Sequence, residues 1–254
     1  MDYTWVTIIG IVFIFLMTTL GGALVYCFKT QLPQKLQSIF YGFAGGVMTA
    51  ASIWSLLLPA LSEAEPTWGK LSFIPVAIGF LLGGLLIVMV EKWLKLPKEG
   101  EAGRAKKLFI SVTVHNIPEG LAVGFAFGAA HSIGTPAAYF AALGLAIGMG
   151  FQNFPEGAAV TLPMQTALKS KNKAFLYGVW SALVEPISAI IGLLFATFLR
   201  VLQPWLLAFA AGSMIFVVAE ELLPASKAEG HSWGAWGVML GFVVMMILDI
   251  ALGA

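Results

Sequence analysis

The chain has 254 residues, of which 59% are hydrophobic and only 11% are charged, and its formal net charge is +1. A soluble domain is about half apolar and a quarter charged, so this composition indicates a protein with several membrane-spanning segments. It excludes a disordered chain, a coiled coil and a nucleic-acid-binding protein, and the single Cys27 excludes an intramolecular disulfide and a cysteine-based metal cluster.

Eight stretches of the sequence are long and apolar enough to cross a bilayer, which takes about 17–25 helical residues. In chain order they are 4–28, 38–61, 71–91, 108–130, 136–163, 174–199, 204–224 and 232–253. The first lacks a basic start and a small-residue cleavage site, so we expect a retained helix and not a signal peptide. Residues 92–107 are polar and predict a flexible cytoplasmic loop. We therefore predict one all-α transmembrane domain over residues 1–254.

The second span carries Met48 in a run of small residues from Gly45 to Ser52. Small residues let neighbouring helices approach closely in a membrane. A methionine at this depth mostly packs against other helices or lipid, but its thioether could also bind a soft metal ion.

The fourth and fifth spans share a polar motif that is unusual in a membrane helix. The fourth reads HNIPEG and the fifth reads QNFPEG, so the frame N-x-P-E-G occurs in both. Helical spacing places the polar members of each motif on one face. They are His115, Asn116 and Glu119 in the fourth span and Gln152, Asn153 and Glu156 in the fifth. Because spans joined by a short connection are antiparallel neighbours, the two groups should meet near the middle of the bilayer.

A proline accompanies the mid-membrane carboxylate in both motifs, and Glu185 of the sixth span is likewise followed by Pro186. One such proline is explained by ordinary kinking, since proline lacks a backbone N–H and crowds the preceding turn. A charged side chain in a span costs about 2.5–3.5 kcal/mol on insertion scales. Three carboxylates beside prolines at one depth therefore indicate a cation site. Imidazole, carboxylate and amide oxygen together suit zinc and its first-row neighbours.

Further acids lie toward the ends of the last two spans. Glu220 and Glu221 are near the inner end of the seventh span, and Asp249 is near the outer end of the eighth. An acid in such a place can contact a passing cation or simply face the polar interface, and both interpretations stay open. His131 and His231 fall in connections, where we expect them to be solvated.

The basic residues predict the orientation, because cytoplasmic loops carry an excess of Lys and Arg. With eight spans, twelve of the 14 basic residues fall on one side: Lys29, Lys35, Lys92, Lys95, Lys98, Arg104, Lys106, Lys107, Lys169, Lys171, Lys173 and Lys227. Only Lys70 and Arg200 fall on the other. This asymmetry predicts that both termini lie outside. We expect a multi-pass protein of the cell membrane, the inner one where a cell has two.

The two motifs and the Glu185-Pro186 pair resemble the ZIP (Zrt/Irt-like) family of divalent metal transporters, and the resemblance covers essentially the whole chain. The second-span sequence GFAGGVMTAASIWSLLLPAL and the glutamine form of the fifth-span motif look most like its GufA-like subgroup. The resemblance implies two adjacent metal positions. The first would use Met48, His115, Glu119, Gln152 and Glu156, and the second would use Asn116, Asn153 and Glu185 and share Glu119 and Glu156.

The same resemblance implies a cytoplasmic exit at Glu220 and Glu221, an entrance at Asp249, and a homodimer. The implied activity is transport of Zn²⁺ toward the cytoplasm by alternating access, with no cofactor and with Cd²⁺, Mn²⁺, Fe²⁺ and Cu²⁺ as further candidate substrates. Many relatives have His where this chain has Gln152, and some have Asp where it has Asn153. The preferred ion is therefore open.

Two other functions compete with a carrier. A selective divalent-cation channel would need a continuous water-lined pore, which the sequence alone does not distinguish from a carrier. An intramembrane metal-dependent hydrolase would use His115 and Glu119 as ligands or base. The sequence lacks HExxH, and no Ser or Cys stands beside His115 as a nucleophile, so we do not expect an enzyme.

Overall fold

The computed structural model describes residues 3–28, 33–93, 101–227 and 231–252, and these are almost entirely helical. The α-helices are α1 (Thr4–Ala23), α2 (Gln34–Ala51), α3 (Leu58–Trp68), α4 (Phe73–Trp93), α5 (Glu101–Ile133), α6 (Pro136–Leu168), α7 (Lys171–Leu199), α8 (Gln203–Val217), α9 (Leu223–Ser226) and α10 (Trp233–Leu252). By length and composition, eight helical segments of the described residues could cross a membrane. The predicted all-α fold with eight spans is confirmed; the placement of the termini stays a prediction.

Two of the eight spans contain a wider, π-helical turn. The turn Ser52–Leu57 joins α2 to α3, and the turn Val218–Leu222 joins α8 to α9. Single π-helical turns within α-helices frequently occur at functional sites, because they shift the side chains that follow to another face. Here they carry Ser55 and the acidic pair Glu220 and Glu221.

The boundaries differ most from the predicted ones at two places. The second span continues from Gln34 to Leu71, well beyond residue 61. Pro59 does not stop it: the π-helical turn Ser52–Leu57 leads directly into α3, and the helix continues through Pro59. Residues 101–107 were predicted as part of the loop but form the first turns of α5, since EAGRAKK is rich in helix-favouring Ala, Glu and Lys. Residues 94–100 of that loop lie outside the described residues.

The helices pack in two groups. The motif group consists of α1, α5, α6 and α7, which pack against one another. The support group consists of the remaining helices, in which α2 packs along α10 and α4 packs along α8. The two groups meet chiefly where α5 contacts α8 and where α2 contacts α6. All three mid-membrane carboxylates therefore belong to the same group.

Glycines let the helices of the motif group touch backbone to backbone. A Cβ on Gly120, the last residue of the fourth-span motif, would overlap the main-chain carbonyl of Glu185. A Cβ on Gly157, the matching residue of the fifth span, would overlap the carbonyl of Thr18. Such close approach needs a residue without a side chain. The motif glycines thus bring α7 and α1 against the two polar motifs.

Candidate metal site

The polar groups of the fourth and fifth spans converge in the motif group. One ligand atom from each of His115, Glu119 and Glu156 lies within 4.8 Å of the others. His115 Nε2 is 3.1 Å from Glu156 Oε1, and Gln152 Nε2 donates a hydrogen bond of 2.5 Å to Glu119 Oε1. These four side chains are exposed by 2% or less. We refer to them as the primary cluster.

A second polar cluster surrounds Glu185 on α7. Its Oε1 accepts hydrogen bonds from Thr18 Oγ1 at 2.7 Å and from Asn116 Nδ2 at 3.0 Å. Its Oε2 accepts one from Asn153 Nδ2 at 2.7 Å. The donors come from α1, α5 and α6, so this carboxylate joins the other three helices of its group. Because hydrogen bonds already reach both of its oxygens, Glu185 is less free to take a metal ion than the acids of the primary cluster.

The hydrogen bonds to Glu185 also set the direction of the two asparagine amides. Each amide turns its NH₂ toward Glu185, which leaves the opposite oxygen free for another partner. These two amide oxygens belong to a larger set of buried acceptors that lack a hydrogen-bond partner in the described structure. The set is Asn116 Oδ1, Glu119 Oε2, Gln152 Oε1, Asn153 Oδ1 and Glu156 Oε2.

Unpartnered buried polar atoms are rare in proteins because burying them without a hydrogen bond costs free energy. All five atoms of this set are oxygens with free lone pairs. A bound cation would satisfy such a set, whereas an anion would be repelled by it. Mixed imidazole, carboxylate and amide donors suit zinc and related divalent ions.

Thr18 is the contact that sequence reasoning missed. Its hydroxyl lies 3.2 Å from the Ile14 carbonyl of its own helix, as is usual for threonine in a helix, but only 2.7 Å from Glu185 Oε1. A threonine in an apolar span gives no signal of such a contact, because its own helix already offers an acceptor. Fold information is needed to find it.

Met48 lies apart from these two clusters in the sequence, on α2. Its side chain is 1% exposed, and α2 packs against α6, the helix that carries the fifth-span motif. Its role as a metal ligand stays a prediction.

The three acids near the ends of the last two spans differ in burial and in their contacts. Asp249 is fully buried, and its Oδ1 accepts a hydrogen bond of 2.7 Å from Ser55 Oγ, so it does not face the polar interface. Glu220 is exposed, whereas Glu221 is half-buried and pairs with Lys107. Both glutamates line a cavity of about 240 Å³ between the two helix groups.

The remaining two histidines are exposed, as predicted. Each nevertheless has an aromatic neighbour. His131 Nδ1 is 3.1 Å from the Tyr139 hydroxyl, and the ring of His231 stacks on Trp233. Neither histidine belongs to the primary cluster.

The chain is similar to one protein-family model and to several known proteins. The family model described as ZIP zinc transporter matches residues 97–249. The chain is 34% identical to zinc transporter ZIP11 of Xenopus tropicalis, over 93% of this chain and 94% of that protein. It is 34% identical to zinc transporter GufA of Myxococcus xanthus, over 91% and 93%, and 33% identical to zinc transporter ZIPB of Bordetella bronchiseptica, over 91% and 77%.

Proposed function

Since this chain belongs to the ZIP zinc transporter family, we propose that it carries Zn²⁺ or a related divalent cation across the membrane toward the cytoplasm. The single observation that supports this most is the primary cluster. It combines two carboxylates and an imidazole within 4.8 Å, all buried in membrane-spanning helices. Burying two carboxylates in the membrane costs free energy unless a cation binds to them.

We propose that the first metal position is formed by Met48 together with the primary cluster, which consists of His115, Glu119, Gln152 and Glu156. The second position would use Asn116, Asn153 and Glu185 and share Glu119 and Glu156. The free amide oxygens of both asparagines support this assignment, since each is already oriented by its bond to Glu185.

Alternating access is the mechanism that the packing supports best. The three carboxylates lie in one helix group, so that group can move against the support group and carry them with it, while Met48 on α2 would stay with the support group. The burial of the primary cluster favours a carrier over a channel, which would need a continuous wet path. Family members are transporters, so the hydrolase alternative is set aside.

The same proposal includes the path on either side of the site. A cation would enter past Asp249 and leave past Glu220 and Glu221, and the transporter would work as a homodimer in the cell membrane. Cd²⁺, Mn²⁺, Fe²⁺ and Cu²⁺ are further candidate substrates, because Gln152 offers an amide in place of a histidine and so leaves the preferred ion open.

Uptake by proteoliposomes tests the proposal. The purified protein should accumulate divalent cations at a rate that saturates with concentration and that rises when unlabelled ion is present on the opposite side. A flux proportional to concentration, without such trans-acceleration, would show a channel. Absence of any divalent-cation flux would overturn the proposed function.

Acidification should slow transport. Protons and metal ions compete for the lone pairs of His115 and of the clustered carboxylates, and metal binding requires their deprotonated forms. The initial rate of Zn²⁺ uptake, measured over a series of external pH values, should fall steadily as pH decreases. A rate that rises on acidification would contradict simple competition and indicate proton-coupled entry.

Cysteine labelling tests the orientation. After Cys27→Ser, a cysteine at Lys173 or Lys98 should react with an impermeant reagent only from the cytoplasmic side; Lys98 lies outside the described residues. A cysteine at Ile133, next to His131, should react only from outside. The reverse pattern would exchange entrance and exit.

A further inference from the structure

Lys107 joins the two helix groups through a pair of ionic contacts. Its Nζ lies 2.5 Å from Glu221 Oε1 and 3.2 Å from Glu91 Oε1. Lys107 belongs to α5 of the motif group, whereas Glu91 lies on α4 and Glu221 in the π-helical turn after α8, both in the support group. The three side chains are exposed by 21%, 21% and 9%. One ammonium group therefore bridges two carboxylates of the opposite group.

This bridge adjoins the cavity between the groups. The cavity is lined by Glu221 and by Ala105 and Leu108, the residues that flank the position of Lys107 on α5. Leu108 is about two helical turns, roughly 10 Å, before His115. The predicted orientation places this end of α5 at the cytoplasmic side. A cation that leaves the primary cluster in that direction passes the bridged acids.

Lys107 lowers the net negative charge of the bridge from two to one. Its ammonium group offsets one of the two carboxylates, and the exposed Glu220 adds a further negative charge to the cavity. Without Lys107, Glu91 and Glu221 would remain as a pair whose combined charge a single divalent cation neutralises, and Glu221 lines the cavity. Hard oxygen ligands of this kind bind divalent cations without further help from soft donors.

We propose that Lys107 is a built-in counter-ion that occupies the place of a divalent cation between Glu91 and Glu221 and so prevents the departing metal from being held there. The proposal rests on the proposed function, because it concerns the release of the transported ion. It also makes the bridge a contact between the moving and the stationary helices, so Lys107 must separate from at least one of its partners in each transport cycle.

The test counts bound ions and measures turnover in Lys107→Met. We expect one additional Zn²⁺ per chain in protein loaded with zinc and freed of excess metal, measured by mass spectrometry. Turnover in proteoliposomes should be lower by roughly fivefold, because an ion held between Glu91 and Glu221 delays release; the size is taken from the strength of a partly exposed ion pair. Lys107→Gln, which keeps a hydrogen-bond donor but no charge, should give the same gain, and Lys107→Arg should behave as the original chain does.

Two controls locate the effect. Lys106→Met removes an exposed lysine from the same turn and should change neither quantity. The double variant Lys107→Met with Glu221→Gln should lose the additional ion again.

The failures of the two proposals are distinguishable. If the original chain takes up no divalent cation, the proposed function fails. If it transports zinc, but Lys107→Met and Lys107→Gln match Lys106→Met in bound zinc and turnover, Lys107 does not keep the departing metal from binding between Glu91 and Glu221.

Discussion

Removing either acid of the primary cluster should abolish transport. We expect uptake by Glu119→Ala and Glu156→Ala, and by the isosteric Glu→Gln variants, to fall by more than about 100-fold. Even residues that only orient a ligand change metal affinity by about 10–100-fold, and these two residues would be ligands themselves. Their loss also removes negative charge where the surroundings are least able to screen it.

The same variants should remain folded. Each variant loses one polar contact, from Gln152 to Glu119 or from His115 to Glu156, while the Oε2 atom of each glutamate has no hydrogen-bond partner in the described structure. Removing a buried charge that has little hydrogen bonding can even stabilise the metal-free protein. Expression and the melting temperature in detergent should therefore stay close to those of the original chain.

Glu63→Ala provides the control, because Glu63 is exposed on α3 and outside both clusters. Its uptake should be unchanged. If Glu119→Ala and Glu156→Ala both retained uptake near the original level, the primary cluster would not be the transport site.

The second large effect concerns the number of ions that the site holds. The two clusters contain three carboxylates, Glu119, Glu156 and Glu185, and their other ligands are neutral. One divalent cation leaves a single negative charge, and two leave a single positive charge. Uncompensated charge is expensive in a membrane. Since Glu185 is also occupied by three hydrogen-bond donors, we predict one tightly held ion at His115 and a second position that is weak.

Asn153→Asp should strengthen the second position. It replaces a donor that now lies 2.7 Å from Glu185 Oε2 by a carboxylate, so two negative groups would face each other and need a cation between them. We expect more bound metal per chain at limiting metal, together with slower release and lower turnover. Mass spectrometry of the purified protein measures the first quantity and proteoliposome uptake the second.

Asn172→Asp makes the same change of charge at an exposed residue and should alter neither quantity. Two tightly held ions in the original chain, with no gain in Asn153→Asp, would show that charge does not set the occupancy.

The span pattern and the primary cluster are readable from the sequence because both depend on local features. Apolar length fixes each span, and helical spacing puts the polar members of a motif on one face. The two motifs that contain Glu119 and Glu156 then meet if the fourth and fifth spans, which are consecutive in the chain, pack side by side. The structure shows that neighbourhood directly, since His115 on α5 lies 3.1 Å from Glu156 on α6.

Other features depend on contacts between distant parts of the chain and could not be predicted. Thr18 reaches Glu185 across 167 positions, and its sequence surroundings are simply apolar. Lys107 was predicted within a flexible loop, yet it lies on α5 and meets acids of two other spans. The π-helical turn that carries Glu221 has no signature in hydrophobic periodicity.

A crystal structure of the zinc-loaded protein, with anomalous scattering recorded at the zinc absorption edge, tests the central claim most directly. We predict an anomalous peak among His115, Glu119 and Glu156, with a zinc–nitrogen distance of about 2.0–2.1 Å and zinc–oxygen distances of about 2.0–2.2 Å. Zinc bound only elsewhere, with the primary cluster empty in protein that transports zinc, would contradict the account.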